Sequence, residues 1–356
     1  MLKATISMKD SADRAVAALK LILQQVPALE VEDIQQARSG PDIVVTLNVR
    51  GHRHRLLCEV KESGQPRFVQ MALLQLNQSV AHLGPGTTPV LLAPYLSPEA
   101  QALCRQNRVG FVDFEGNARL AFDHVFIERA VESKPAAEKR RLRSLFKPKS
   151  AQVLEVLLRE PTRMWRVQEL AKATGVSLGH ISNVRAALAD REWGRVSPEG
   201  FTLVEPDKLL DAWRDAYEGA AGERRGFYTT LHDRTFDEAV RRLLGVANDT
   251  AQVIFGSFSA AHWLAPYART GTHFFYTDER GAECLRNALE LASPAEGENV
   301  VITVPSQDVV FRSAIAAPSG VVCTGLVQTY LDLSAAGERG REAAEHLRRE
   351  RLRWRE

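Results

Sequence analysis

The chain has 356 residues, 45% hydrophobic and 25% charged, with a formal net charge of +2. That is the composition of a globular protein with real cores, long enough for two or three domains. No run approaches the roughly 18–20 apolar residues of a membrane span. The first 26 residues interleave charge with apolar groups as an amphipathic helix does, where a signal peptide needs an unbroken apolar run. The four cysteines (58, 104, 284 and 323) form no CxxC pair, which argues against a disulfide framework or zinc site and for a reducing cytoplasm.

In chain order, a helix is expected over 11–26, then two strand-like runs at 42–49 and 56–60 joined by a turn at Gly51. A helix over 66–82 and an apolar strand at 89–93 follow. Ser97-Pro98 marks a helix start, with a capping hydroxyl and a proline at the first position. Strands at 110–114 and 118–122 flank a Glu-Gly-Asn turn, and 125–128 is a third strand candidate. This alternation predicts an α/β domain over 1–132.

Residues 134–149 carry seven Lys/Arg against a single Glu, with a proline near each end. The stretch 133–149 is therefore read as a basic linker, whose cations can neutralise DNA phosphates. A second basic stretch, 339–356, has seven Arg and four Glu at helical spacing.

Residues 150–206 read as a winged helix-turn-helix. Val153, Leu154, Val156 and Leu157 mark a first helix, and Val167, Leu170 and Ala171 a second. Gly175 supplies a tight turn, and Ser177 caps a third helix in which Ile181, Val184 and Leu188 face inward. His180, Ser182, Asn183 and Arg185 are left facing out, suited to base edges: Asn pairs with adenine and Arg with guanine. Arg163, Arg166 and Ser177 complete the expected DNA-contacting set. Residues 196–203 read as strand, turn, strand, which is the wing. The pattern resembles that of bacterial winged-helix regulators. Trp165 and Trp193 are expected in the packing rather than at the bases.

Pro41-Asp42 opens one strand-like run and Glu59-Val60-Lys61 ends the next. In an antiparallel hairpin these ends meet, and Glu59 and Lys61, two apart on a strand, share a face. Two carboxylates can hold Mg²⁺ against a phosphate while the lysine orients water. Residues 1–132 thus resemble the PD-(D/E)xK nuclease superfamily. That resemblance implies an αβββαβ core and a Mg²⁺-dependent phosphodiesterase, with Asp42 and Glu59 as metal ligands and Lys61 as the catalytic lysine. Glu30 or Glu32 is a candidate for an upstream acid, and Gln70 or Gln75 for a supporting amide. Domains of this fold also occur as inactive DNA-binding modules. The tract His52-Arg53-His54-Arg55 is read as a solvated turn.

After residue 224 the pattern predicts a third, separate α/β domain over 222–356. It has helices at 235–244, from Ser259 and at 279–292, strands at 252–255, 273–277, 299–304 and 309–316, and a helical end. The runs 253–267, 274–277, 325–333 and 340–347, with the winged helix before them, resemble the AbiE-type antitoxin of type IV toxin–antitoxin systems. This implies an autoregulating repressor with a cognate toxin. Gly256-Ser257 after a strand also suits a nucleotidyltransferase. Its two spaced acids have no better match than the adjacent Asp278-Glu279, so the turn is read as close backbone packing.

The α/β multidomain chain is therefore expected to be a DNA-binding regulator of antitoxin-like type acting on double-stranded DNA as a homodimer, because one recognition helix covers a half-site. A Mg²⁺-dependent endonuclease of a mobile-element or defence system is the alternative, and an interaction scaffold the third reading.

Overall fold

The computed structural model describes residues 2–36, 41–81, 86–131, 134–246, 251–267, 270–293, 297–317 and 320–354. The boundary expected at 132/133, the end of the helix expected over 66–82, and the last two residues of the closing basic stretch lie outside them. The chain is α/β and divides into two compact units, Met1–Arg140 with Arg185–Gly194, and Arg141–Val184 with Arg195–Glu356. Residues of the third helix of the middle segment are thus shared between them, and 195–206 and 222–356 fall in one unit.

The first unit runs α1 (Leu2–Leu23), β1 (Leu29–Gln36), β2 (Ile43–Val49), β3 (His52–Val60), α2 (Pro66–Ala81), β4 (Thr87–Ala93), α3 (Pro98–Gln106), β5 (Gly110–Asp113), β6 (Ala118–Phe122), β7 (Val125–Arg129) and the first half of α4 (Ala136–Leu145), whose residues after Arg140 fall in the second unit. Among the described residues seven strands form one sheet in chain order. It is antiparallel from β1 to β3, parallel from β3 to β5 and antiparallel again to β7. Strand periodicity assigns the faces. Val90 and Leu92 of β4 pack with Ala15, Leu19 and Ile22 of α1, while Leu91 and Ala93 pack with Val69 and Leu73 of α2 and Cys104 of α3. Arg50 and Gly51 both take positive φ (50° and 90°), as a tight two-residue hairpin demands.

Three expectations change here. β1 was not foreseen; a register shift between Val31 and Asp33 breaks the alternation that marks a strand. The His-Arg tract is strand, not turn. His54 is buried, stacked on Phe122 and 2.9 Å from Thr88 Oγ1, and burial lowers its pKa. The basic stretch 133–149 holds α4, because Glu138, Leu142 and Leu145 at i, i+4 and i+7 are buried.

The second unit holds α5 (Pro148–Arg159), α6 (Val167–Thr174) and the part of α7 (Leu178–Asp190) up to Val184; the hairpin β8 (Gly194–Val196) and β9 (Phe201–Leu203) follows α7 in the chain. Then come α8 (Pro206–Ala216), β10 (Gly222–Phe227), α9 (Asp233–Val246), β11 (Val253–Phe255), α10 (Ser257–Leu264), β12 (His273–Thr277), α11 (Glu279–Ala288) and β13 (Val300–Pro305). The chain closes with α12 (Val309–Arg312), β14 (Ile315–Ala316), β15 (Val322–Cys323), α13 (Leu326–Ser334) and α14 (Gly337–Arg351). Six of these strands, in the order β10-β13-β12-β11-β15-β14, form a mixed sheet. The strand expected over 309–316 is instead the short helix α12 and the two residues of β14. Gly256 is the close approach expected of it: a Cβ there would lie 2.5 Å from the Tyr276 ring.

Candidate functional site

Asp42 immediately precedes β2, and Ile43 pairs with Cys58, so the start of β2 lies against the end of β3. Asp42 Oδ2 accepts a hydrogen bond from the Val60 amide at 2.8 Å. Lys61 Nζ donates to Glu59 Oε1 at 2.7 Å and to Gln75 Oε1 of α2 at 3.0 Å. The Lys61 amide bonds the Leu92 carbonyl at 2.9 Å, which extends the parallel pairing with β4 to this residue. Asp42, Glu59, Lys61 and Gln75 are therefore brought to one end of the sheet, with Lys61 tethering strand to helix. Gln70 is exposed on α2.

Glu30 and Glu32 do not join them. Glu30 pairs with Asn48 and Gln36 with Ile43, so the two acids sit toward the far end of the β1–β2 ladder, and Glu32 is occupied by Arg53 at 2.9 Å. At about 3.3 Å per residue, Glu30 lies roughly 20 Å from Asp42 along the strand. No described group of three or more His, Cys, Asp or Glu stands in metal-binding arrangement; the cluster here is two carboxylates and a lysine.

The segment after Lys61 is tightly held. A Cβ on Gly64 would come 1.9 Å from the Tyr95 carbonyl oxygen. Gln65 donates to Glu138, which accepts from Arg191 at 2.8 Å in an ion pair whose side chains are 9% and 11% exposed. Sequence reasoning missed this network. Its one signal was Glu138, the lone acid in the basic stretch.

In the middle segment, Gly175 adopts φ 68° and turns α6 into α7. Ile181, Val184 and Leu188 are buried as expected, and so are Trp165 and Trp193. Trp165 exchanges both backbone hydrogen bonds with Phe201 (2.8 and 2.9 Å), adding one residue of a third strand beside the hairpin. Ser177, Ser182 and Asn183 are exposed, together with Leu178, Gly179, Arg195 and Val196. Ser182 Oγ donates back to the Leu178 carbonyl at 3.0 Å. Arg163 is exposed, pairs with Glu160 at 2.9 Å and lies 3.7 Å over the Trp165 ring. Arg166 is exposed at the start of α6, where its amide donates to Glu169 Oε2 at 3.0 Å.

Two residues of the expected outward set face differently. His180 is half-buried and its Nε2 lies 2.9 Å from Ser150 Oγ of α5. Arg185 is half-buried in the half of α7 that belongs to the first unit. A helical wheel gives a side chain's angle but not the reach of neighbouring elements.

The second unit holds two buried carboxylates that the sequence reading passed over. Asp332 accepts from Tyr217 Oη (2.6 Å), Tyr276 Oη (2.9 Å) and Gln328 Nε2 (2.8 Å), and burial pushes its pKa up to about 6. Glu155, on the inner side of α5 and bonded to Ser313, is pushed up to about 7 by burial. Arg348 of α14 pairs with Asp207 and Asp211 of α8 at 2.7 Å each, so the closing basic helix is partly internal. Asp278 caps α11, accepting from the Gly281 amide at 2.7 Å, and Glu279 pairs with Arg225 at 2.9 Å.

The class these units define is an α/β chain of two units, in which a helical segment and a hairpin follow the first sheet and precede the second in chain order. Residues 202–353 match the family described as "Transcriptional regulator, AbiEi antitoxin, Type IV TA system". The match begins inside β9, so α5, α6 and α7 precede it. No curated protein sequence matches the chain. A solved structure described as "Structure of EndoMS in apo form" is similar at 15% identity, with a TM-score of 0.22 over 28% of this chain. The chain spans 45% of that structure's length, and at that score the likeness bears on neither fold nor function. No helix among the described residues is long and apolar enough to cross a membrane.

Proposed function

We propose that this protein is a DNA-binding transcriptional regulator of antitoxin type that reads duplex DNA through a winged helix-turn-helix over 150–206. One observation carries the reading: Ser177, just before α7, and Ser182 and Asn183 in its first half are exposed while Ile181 and Val184 are buried, and a two-stranded hairpin follows the helix. A helix supported on one side and polar on the other fits the major groove, and Asn183 suits an adenine edge. Arg163, Arg166 and Arg195 are cations for flanking phosphates. The family description of residues 202–353 supports the regulator reading and brings a cognate toxin as partner. Selection from a random duplex pool at moderate salt tests it. Asn183→Ala is expected to lower the preference for the selected duplex over a scrambled one by roughly 10-fold, about 1–3 kcal/mol. An unchanged preference removes α7 from the reading.

The second reading is a Mg²⁺-dependent deoxyribonuclease of the PD-(D/E)xK kind in the first unit, favoured by the convergence of Asp42, Glu59, Lys61 and Gln75. The donor set fits a hard divalent cation. Asp42 Oδ2 and Glu59 Oε1 are committed to the Val60 amide and Lys61, which leaves one oxygen of each carboxylate for a metal that keeps several waters. Bound there, Mg²⁺ supplies charge stabilisation at a phosphate. Lys61, fixed by Glu59 and Gln75, is the cation that would orient an attacking water or stabilise charge on a phosphate. Plasmid incubated with Mg²⁺ decides it. Cutting by wild type, lost in Asp42→Ala and Lys61→Ala, establishes the enzyme, and intact plasmid throughout leaves the first unit a non-cleaving module.

A further inference from the structure

A cavity of about 150 Å³ lies inside the second unit, walled by α5, β14, α13 and the residues that close the chain. Its apolar walls are Leu158, Ile315, Leu326, Val327, Leu352 and Trp354. Leu158, Val327 and Leu352 are buried, whereas Arg159 and Arg351 at the same cavity are exposed, so its floor is apolar and its rim cationic. Trp354 Nε1 donates to the Leu158 carbonyl at 3.0 Å, which fastens the wall after α14 to the wall from α5. Concave, mainly apolar spaces with a few placed polar groups are the usual form of small-molecule sites. Neither DNA reading by α7 nor cleavage at Asp42 and Glu59 uses this one.

Size and charge select the ligand. An apolar cavity of this volume holds one benzene-sized molecule, and a tryptophan among its walls favours a ring over a chain. The charged lining is Glu155, Arg159 and Arg351. Glu155 is buried and bonded to Ser313, and burial raises its pKa to about 7, so near neutral pH this acid is partly neutralised. The Arg159 guanidinium makes no hydrogen bond or close ion pair among the described residues, although its charge acts on Glu155. Arg351 donates from Nη1 to the Leu264 carbonyl at 2.7 Å, using one of the five N–H groups of a guanidinium. Such planar forks match a carboxylate, and a cationic ligand would meet two like charges at the rim. We propose that this cavity binds a small aromatic monocarboxylate of benzoate size. Its ring lies against Leu158, Val327 and Leu352, and its carboxylate is held by Arg159 and Arg351.

Calorimetric titration of the full chain with benzoate, without DNA and at a pH below the Glu155 pKa, tests this. A ligand of about nine non-hydrogen atoms is expected to saturate with a Kd of about 0.1–1 mM. Benzylamine and benzamide, matched in size but cationic and neutral, are expected to bind roughly 10-fold more weakly or less. Arg159→Gln, at an exposed position, is expected to weaken benzoate by roughly 10-fold with an unchanged Tm, and Arg341→Gln, exposed elsewhere on α14, to bind as wild type does. Leu326→Trp, which fills the cavity from its half-buried wall, is expected to abolish binding. No saturable benzoate binding, benzylamine binding as tightly as benzoate, or wild-type affinity in Arg159→Gln or Leu326→Trp overturns the proposal. The readout uses no DNA, so its failure is separate from failure of the DNA-reading assignment.

Discussion

Glu155 shows how one buried acid sets a pH dependence. Unfolded, its carboxyl titrates near 4.5; folded, near 7. Between those values the native state binds the extra proton, so stability falls as pH rises through the window and levels off above it. The shift corresponds to about 3 kcal/mol. Asp332, raised from 3.8 to about 6, acts in the same direction. Thermal denaturation of Glu155→Gln is expected to show a flatter profile between pH 5 and pH 8, with a Tm above wild type at the alkaline end (the shift above); parallel profiles would refute this. Gly64→Ala tests the other unit. Its Cβ meets a backbone carbonyl, so a lower Tm is expected from urea or heat. Residue identity was legible in the sequence wherever spacing alone fixes geometry. Asp42, Glu59 and Lys61 converge because strand alternation and hairpin pairing need only local rules. His180 was not legible, since its partner Ser150 comes from a different helix. Nor was the Glu138–Arg191 pair, whose members are 53 positions apart.

Elements were legible in proportion to how cleanly their period showed. β12 spans the expected 273–277, and α6 contains Val167, Leu170 and Ala171, the residues that mark it in the sequence. β1 escaped because of its bulge. At 309–311 the branched Val-Val-Phe run reads as strand, yet these residues form the single turn of α12, with Val310 packed against Ile254 and Tyr276. Tertiary packing overrides β propensity there. The α6–α7 turn rests on Gly175, whose left-handed φ costs a β-branched residue about 1–2 kcal/mol. Gly175→Val is therefore expected to lower the Tm and weaken binding to a selected duplex together, read by calorimetry and gel shift. Full-affinity binding by this variant would mean that the angle between α6 and α7 is unimportant for DNA.

At the scale of the molecule, a net charge of +2 conceals exposed cations concentrated along α4 and the start of α5, including Lys139, Arg140, Arg141, Arg143, Lys147 and Lys149. If these neutralise phosphates, Arg140→Gln with Arg141→Gln is expected to reduce the slope of log affinity against log salt by about 1–2 without changing sequence preference. An unchanged slope places phosphate contacts elsewhere. The two α/β layers were legible from alternation of strand and helix. The sharing of 185–194 with the first unit was not, because it depends on a fold-level meeting of distant segments. Hydrogen exchange of the free protein and its complex with a selected duplex tests the central claim most directly. Protection is expected to concentrate at 177–184 and along the hairpin at 194–203. Protection confined to the first unit, with 177–184 exchanging as in the free protein, would contradict the account.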